Sequence, residues 1–302
     1  MNGGFTPEGR KHLSVNGIDI AFGETGAGSP LYLLHGHPQT HLMWSAVAAR
    51  LADRFTVIAP DLRGCGASAK PESDARHLPY SKRVMAADVV ALADALGHER
   101  IFLAGHDRGA RVAHRLALEH PDRVAALALL DIAPTRHMWR HVNCDFARAY
   151  WHWFFLTQPA PGPETIIAAD PDAFWHANAA RNPGAIDVFP PKALADYLTH
   201  YRDPATIHAI CEEYRASATI DLVHDDTDFD EGRRIACPLL VLSGARSKVS
   251  GWYDMASVWA AYVTQLTVAQ IDAGHFLAEE QPAATADALA EHFGSAASDE
   301  AS

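Results

Sequence analysis

Residues 101–120 read IFLAGHDRGARVAHRLALEH. A short apolar run, Ile101–Ala104, is followed directly by a helical pattern over Arg108–Leu118, with Gly105-His106-Asp107-Arg108-Gly109 at the join. A run of that length bounded by turn residues predicts a buried strand. The small residues at 105 and 109 let strand and helix approach closely enough for a sharp turn between them. This is the setting of a nucleophile elbow, G-x-S-x-G, in which a strained strand-to-helix turn presents the central side chain. Here the central residue is Asp107. A carboxylate does not carry out serine-type acyl transfer, but it can attack a saturated carbon bearing a leaving group and form an alkyl ester. An Asp that merely caps a helix N-terminus is the plainer alternative.

The same alternation extends on both sides. Leu31–Leu34, Phe55–Ala59, Val124–Leu130, Leu239–Leu242 and Thr267–Ile271 are further short apolar runs, and Ser81–Leu96 carries apolar residues at helical spacing. Such strands alternating with helices predict a mostly parallel sheet flanked by helices. Near the N-terminus, Asn16-Gly17 between two alternating apolar runs predicts a hairpin that adds antiparallel strands at one edge. From about Pro134 to Arg234 the pattern stops. That segment is rich in aromatics and helical stretches and is punctuated by Pro159, Pro161, Pro163, Pro171, Pro183, Pro190 and Pro191. The strand–helix pattern resumes at Cys237-Pro238. We therefore expect a core in two parts, residues 1–134 and 235–302, with a helical cap inserted over 135–234. The cap is expected above the carboxyl ends of the strands, where open α/β sheets bind ligands. The last stretch, GSAASDEAS, is small and polar and is expected to fray.

Partners for Asp107 are expected in the chain order nucleophile, acid, histidine. His275, in Asp272-Ala273-Gly274-His275-Phe276 after the last apolar run, is placed to act as base. Asp131, which ends the run 124–130, is placed to orient it. His35-Gly36-His37-Pro38 follows the run 31–34, where hydrolases of this build supply one backbone N–H of an oxyanion hole; the N–H of Arg108 is the second. Arg108 and Arg111 lie one helical turn apart beside the carboxylate, so two guanidinium groups there would attract an anion.

Composition excludes several other classes. The chain has 302 residues, 48% hydrophobic and 21% charged, with a formal net charge of −12 when His is counted neutral. That field repels phosphate backbones, so no nucleic-acid partner is expected. No apolar run approaches the roughly 18 residues of a membrane span, and MNGGFTPEGRKHLS lacks the features of a secretory signal; no membrane partner and a cytoplasmic location are expected. Four cysteines, Cys65, Cys144, Cys211 and Cys237, form no C-x-x-C pair, so neither a disulfide framework nor a zinc site is indicated. His35, His37 and His41 cluster in sequence, but 35 and 37 would point to opposite faces of an extended segment and no carboxylate or Cys completes the set. No metal is expected.

Several stretches together carry a resemblance: HGHPQTHLMW (35–44), DLRGCGASAKPES (61–73), AGHDRGARV (104–112), LDIAPT (130–135), YWHWFFLTQPAP (150–161), CEEYRA (211–216) and GHFLAEEQP (274–282). The chain resembles an α/β-hydrolase, and within that fold the fluoroacetate dehalogenases, from about residue 31 to 282. G-H-D-x-G alone is shared with epoxide hydrolases and haloalkane dehalogenases; H-D-R-G-A-R combined with H-W in the cap is more specific. The resemblance implies an α/β-hydrolase fold with catalytic Asp107, Asp131 and His275. It implies a substrate carboxylate on Arg108 and Arg111, in place of the Trp that haloalkane dehalogenases carry after the nucleophile. It also implies a leaving halide met by His152, Trp153 and Tyr214. The implied substrate is a small haloacid, with fluoroacetate converted to glycolate, no metal or organic cofactor, and a homodimer. His37 departs from the family's H-G-F-P motif, which has Phe there. Two other functions stay open: an epoxide hydrolase with Tyr214 and Tyr150 as acids, and a non-catalytic receptor for a small acid.

Overall fold

The computed structural model describes residues 4–182 and 184–300, so Pro183 lies outside the described residues. Eight strands form one sheet: β1 (Lys11–Val15), β2 (Ile18–Thr25), β3 (Ser29–Leu34), β4 (Phe55–Pro60), β5 (Ile101–His106), β6 (Val124–Leu130), β7 (Leu239–Gly244) and β8 (Leu266–Ile271). Their order is β1-β2-β4-β3-β5-β6-β7-β8. All pairs from β4 to β8 are parallel, whereas β1–β2 and β2–β4 are antiparallel. The expected hairpin turns at Asn16 (φ 48°) and Gly17 (φ 77°), the two positive φ values that a right-twisted two-residue turn requires.

Every residue of β5, β6 and β7 is buried, which is why their sequences are apolar without alternation. β8 is an edge strand with exposed Thr267 and Val268, so its run is only half-buried. Two helix pairs cover the sheet, α1 (Ser45–Leu51) with the C-terminal helix, and α2 (Lys82–Ala95) with α3 (Arg108–Glu119). The order in which strands are added reverses at β3: β4 lies on one side of β3 and β5 on the other. The carboxyl ends of β3 and β5 therefore flank the crevice where such sheets place ligands.

Between β6 and β7 the described chain is helical: α4 (Thr135–Arg140), α5 (Cys144–Ala149), α6 (Trp151–Leu156), α7 (Gly162–Ala169), α8 (Pro171–Ala179), α9 (Pro191–Tyr201), α10 (Pro204–Ala218) and α11 (Ile220–Asp230). Several prolines noted as interruptions open helices instead: Pro163, Pro171 and Pro191 occupy first-turn positions, where a missing N–H costs nothing. After β7 come α12 (Lys248–Trp252), α13 (Met255–Trp259), α14 (Leu277–Glu280) and α15 (Pro282–Glu300). The tail is thus not frayed through its length. α15 continues to Glu300 because Phe293 and Ala296 bury themselves against the core. The four cysteines are free, with Cys211 and Cys237 buried and Cys144 exposed. Among the described residues no helix is long and apolar enough to cross a membrane.

The strand–helix junction at 105–109 depends on two glycines. A β-carbon on Gly109 would collide with the backbone carbonyls of His35 and Leu34, and one on Gly105 with the backbone of Gly109 and Ala110. Neither obstacle is a flexible side-chain end. Gly109→Ala is expected to destabilise the protein by about 1–3 kcal/mol, measured by urea unfolding; an unchanged midpoint would contradict the close approach.

Candidate active site

At the end of β5 the backbone of Asp107 is forced to φ 46°, ψ −112°. A non-glycine residue there stores about 1–3 kcal/mol of strain, and the turn holds the carboxylate at the mouth of the β3/β5 crevice. Asp107 is buried. Its Oδ1 accepts a hydrogen bond from the His37 backbone N–H at 3.1 Å. Its Oδ2 lies 3.9 Å from His275 Nε2. Burial works to raise its pKa, but His275, His106, Arg108 and Arg111 more than offset that, and the carboxyl is held well below the usual range. At neutral pH it is an ionised, dry carboxylate.

His275 follows β8 and reaches back to Asp131 at the end of β6. Its Nδ1 is 2.6 Å from Asp131 Oδ2. Asp131 is also at positive φ (54°), and its Oδ1 accepts the Gly244 N–H at 3.2 Å. An ionised carboxylate can only accept, so Nδ1 carries the proton and Nε2 presents its lone pair toward Asp107. Burial lowers the pKa of His275, but the hydrogen bond and charge of Asp131 carry it above the ordinary value. Behind the ring, His106 Nε2 contacts the His275 carbonyl at 2.8 Å.

The two arginines of α3 are both buried and differently engaged. Arg108 donates through Nε to Glu213 Oε1 (3.0 Å) and through Nη2 to the Glu213 carbonyl (3.1 Å), and its guanidinium stacks 4.1 Å from the Tyr214 ring centroid. Arg111 donates to the Ala133 carbonyl and Thr135 Oγ1 and lies 4.9 Å from the Trp153 ring centroid. No carboxylate pairs with it among the described residues. Burial, and then the charge of Arg108, lower its pKa to about 10; an anion between the two groups would relieve that strain. His152, Trp153 and Tyr214 come together from α6 and α10, with ring centroids 5.7 Å (His152–Tyr214) and 6.4 Å (Trp153–Tyr214) apart. Arg108 Nη1, Arg111 Nε, Trp153 Nε1 and His152 Nδ1 are buried without any hydrogen-bond partner. The first three are obligate donors.

The structure thus brings Asp131, His275, Arg108, Arg111, His37, His152, Trp153 and Tyr214 into one neighbourhood with Asp107, and adds others. Glu213 bridges Arg108 to Lys82 Nζ (2.8 Å), with its carboxyl lowered to about 2: burial opposes the shift, but Arg108 and Lys82 outweigh it. It adjoins Tyr214 in CEEYRA, so its position was available in the sequence, though not its partner. Asn178 and Arg181, at the end of α8 and just beyond it, also reach the site. Asn178 Nδ2 is 2.9 Å from His37 Nε2, and Arg181 Nε donates to Asn178 Oδ1 at 2.8 Å. Nothing in the spacing of the helical segment marked these two. The His35/His37/His41 group is dispersed: the Leu62 N–H donates to His35 Nε2, and His41 Nδ1 lies 2.8 Å from Asp61.

Comparison with known proteins gives a consistent picture. Residues 29–282 match the alpha/beta hydrolase fold family. The chain is 44% identical to a fluoroacetate dehalogenase from Burkholderia sp, over 96% of this chain and 95% of that one. It is 29% identical to a soluble epoxide hydrolase from Corynebacterium sp. (strain C12), over 92% and 95% of the two chains. A crystal structure from Nostoc sp PCC 7120, described as an alpha/beta hydrolase, superposes with a TM-score of 0.92 at 46% identity, covering 94% of this chain and 97% of that one.

Two outcomes follow from the geometry. Asp131→Asn removes the charge that holds His275 up, so the imidazole pKa should fall by roughly 1–3 pH units, read by NMR titration of the His275 ring; no shift would contradict the pairing. Glu213→Gln leaves Arg108 without its counter-charge and Lys82 with Asp221 alone, 3.6 Å away, and should cost about 3–5 kcal/mol in urea unfolding, where a loss near zero would show the network to be dispensable.

Proposed function

The chain belongs to the alpha/beta hydrolase family, and from that premise we propose that it is a hydrolytic dehalogenase of small haloacids, with fluoroacetate and other haloacetates as substrates. The observation that carries this reading is a set of buried N–H donors without a partner among the described residues: Arg108 Nη1 and Arg111 Nε on α3, and Trp153 Nε1 on α6. Two places for negative charge beside one nucleophile suit a substrate with a carboxylate at one end and a departing anion at the other. The 44% identity to a fluoroacetate dehalogenase supports the same assignment.

In this mechanism Arg108 and Arg111 hold the substrate carboxylate while Oδ2 of Asp107 attacks the α-carbon from behind. The carbon–oxygen bond forms as the carbon–halogen bond breaks, and the halide leaves with the bonding pair toward His152, Trp153 and Tyr214. Oδ1, already on the His37 N–H, becomes the carbonyl oxygen of the ester. His275 Nε2 then takes a proton from water, whose oxygen attacks that carbonyl. The His37 and Arg108 N–H groups meet the oxyanion, and glycolate departs as Asp107 is regenerated. Esterification also removes the Asp107 charge, one of the influences that raise the His275 pKa. The helical segment 135–234 acts as the cap that keeps water out during alkylation. The reading takes in a homodimer in the cytoplasm, as the resemblance implies.

A second reading, epoxide hydrolysis with the same nucleophile, draws on two phenols near His152: Tyr150 at 5.5 Å and Tyr214 at 5.7 Å between ring centroids. The buried guanidinium groups favour the haloacid.

Steady fluoride release from fluoroacetate, followed with an ion-selective electrode, is the expected activity, with Asp107→Asn lowering it at least about 10⁴-fold. Arg111→Met should weaken haloacetate binding roughly 10- to 100-fold, seen as a raised KM. Diol formation from styrene oxide without any halide release would select the second reading.

A further inference from the structure

Arg181 is a half-buried cation without a carboxylate. Its Nε donates to Asn178 Oδ1 at 2.8 Å and its Nη1 to the Ala149 carbonyl at 3.2 Å, both neutral acceptors. No carboxylate lies within ion-pair distance of it among the described residues. Its guanidinium sits 5.3 Å from the Tyr150 ring centroid, and the Tyr150 ring centroid lies 5.5 Å from that of His152, so Arg181 adjoins the His152 end of the site. Of the charged neighbours acting on His152, Arg181 ranks ahead of Arg108, and the carboxylate that draws on Arg181 is Asp107. Isolated charges are seldom buried unless an anion compensates them.

Its place is built rather than incidental. Asn178 Oδ1 is engaged by Arg181, so Asn178 Nδ2 must donate to His37 Nε2, which fixes the His37 proton on Nδ1. The His37 backbone N–H holds Asp107 Oδ1. Trp175, one turn earlier on α8, donates Nε1 to the Pro38 carbonyl at 2.8 Å. One face of α8 thus grips the loop after β3 at two points and ties Arg181 to the nucleophile through Asn178 and His37.

Resting on the dehalogenase reading, we propose that Arg181 is a further binding residue of the reaction, a cation for the departing halide. Charge balance supports it. The Arg108 and Lys82 charges are matched by Glu213 and Asp221, and the charge of the His275–Asp131 pair does not change in this step. Before reaction, Arg111 and Arg181 face Asp107 and the substrate carboxylate, two charges of each sign. As the Asp107 oxygen bonds to carbon and the halide leaves with its electron pair, Asp107 becomes neutral and the halide takes up the charge. Charge is conserved in the step and changes only its place, moving from Asp107 toward the halide, where Arg181 beside Tyr150 and His152 is a cation to meet it. The need is greatest for fluoride, the poorest leaving group of the series.

The test is a rapid-quench measurement of the alkylation step with fluoroacetate, chloroacetate and bromoacetate. Arg181→Met should slow alkylation by about 100-fold with fluoroacetate and by less than about 10-fold with bromoacetate, with KM little changed and bromide product inhibition weakened. Arg181→Lys should recover part of the fluoroacetate rate. Should the Met variant not fold, Asn178→Ala, which frees the guanidinium, should give the same order of losses. Equal losses for all three halides, or a raised KM with alkylation intact, would overturn the role of Arg181 while leaving the dehalogenase reading in place. A wild-type protein that is alkylated by none of the three would overturn that reading itself.

Discussion

A carboxylate held out of water on a left-handed turn is the constraint to which the surrounding structure answers. Asp107 is both strained in its backbone and buried in charge. The strain is sustained because Gly105 and Gly109 let β5 and α3 close on each other and on the loop after β3. The charge is sustained by donors and cations from five directions: the His37 N–H, His275, His106, Arg108 and Arg111. An anion so stabilised would be a poor nucleophile if its supports could not be redistributed. Three of them, His275 and the two arginines, also serve the groups the reaction needs next, so charge leaving Asp107 moves within the site.

Acids and bases are apportioned unevenly here, and that unevenness carries the functional reading. Glu213 matches Arg108 and Lys82, which fixes the position of Arg108 while leaving Nη1 to a ligand. Arg115, one turn beyond Arg111 on the same helix, is paired with Asp225 and Asp228 and has no part in the site. Arg111 and Arg181, by contrast, rest among the described residues on uncharged carbonyl, hydroxyl, amide and thioether acceptors. A protein that has acids available for Arg115 and withholds them from Arg111 and Arg181 has left positive charge for something that comes and goes.

Much of this was legible in the chain itself. Buried parallel strands need unbroken apolar runs, so β3 to β7 stood out, and the order of Asp107, Asp131 and His275 followed from where those runs end. Asn16-Gly17 specified its hairpin because few other dipeptides accept two positive φ values. What escaped were pairings made in three dimensions. Glu213 and Lys82 are 131 positions apart, and nothing local announces that one neutralises the other. Asn178 and Arg181 lie in a helical segment whose aromatic content spoke only of packing. The tail looked polar enough to fray, yet two apolar residues, Phe293 and Ala296, carry α15 to Glu300.

The central claim is that Asp107 becomes esterified by the substrate. It is tested most directly by trapping that ester: a His275→Gln variant, unable to activate water, is incubated with fluoroacetate and its peptides are examined by mass spectrometry. The account predicts one carboxymethyl group on the peptide containing Asp107, accumulating as one equivalent of fluoride is released. Fluoride release by the wild-type protein with no adduct on that peptide in the variant, or with the adduct on another residue, would contradict it.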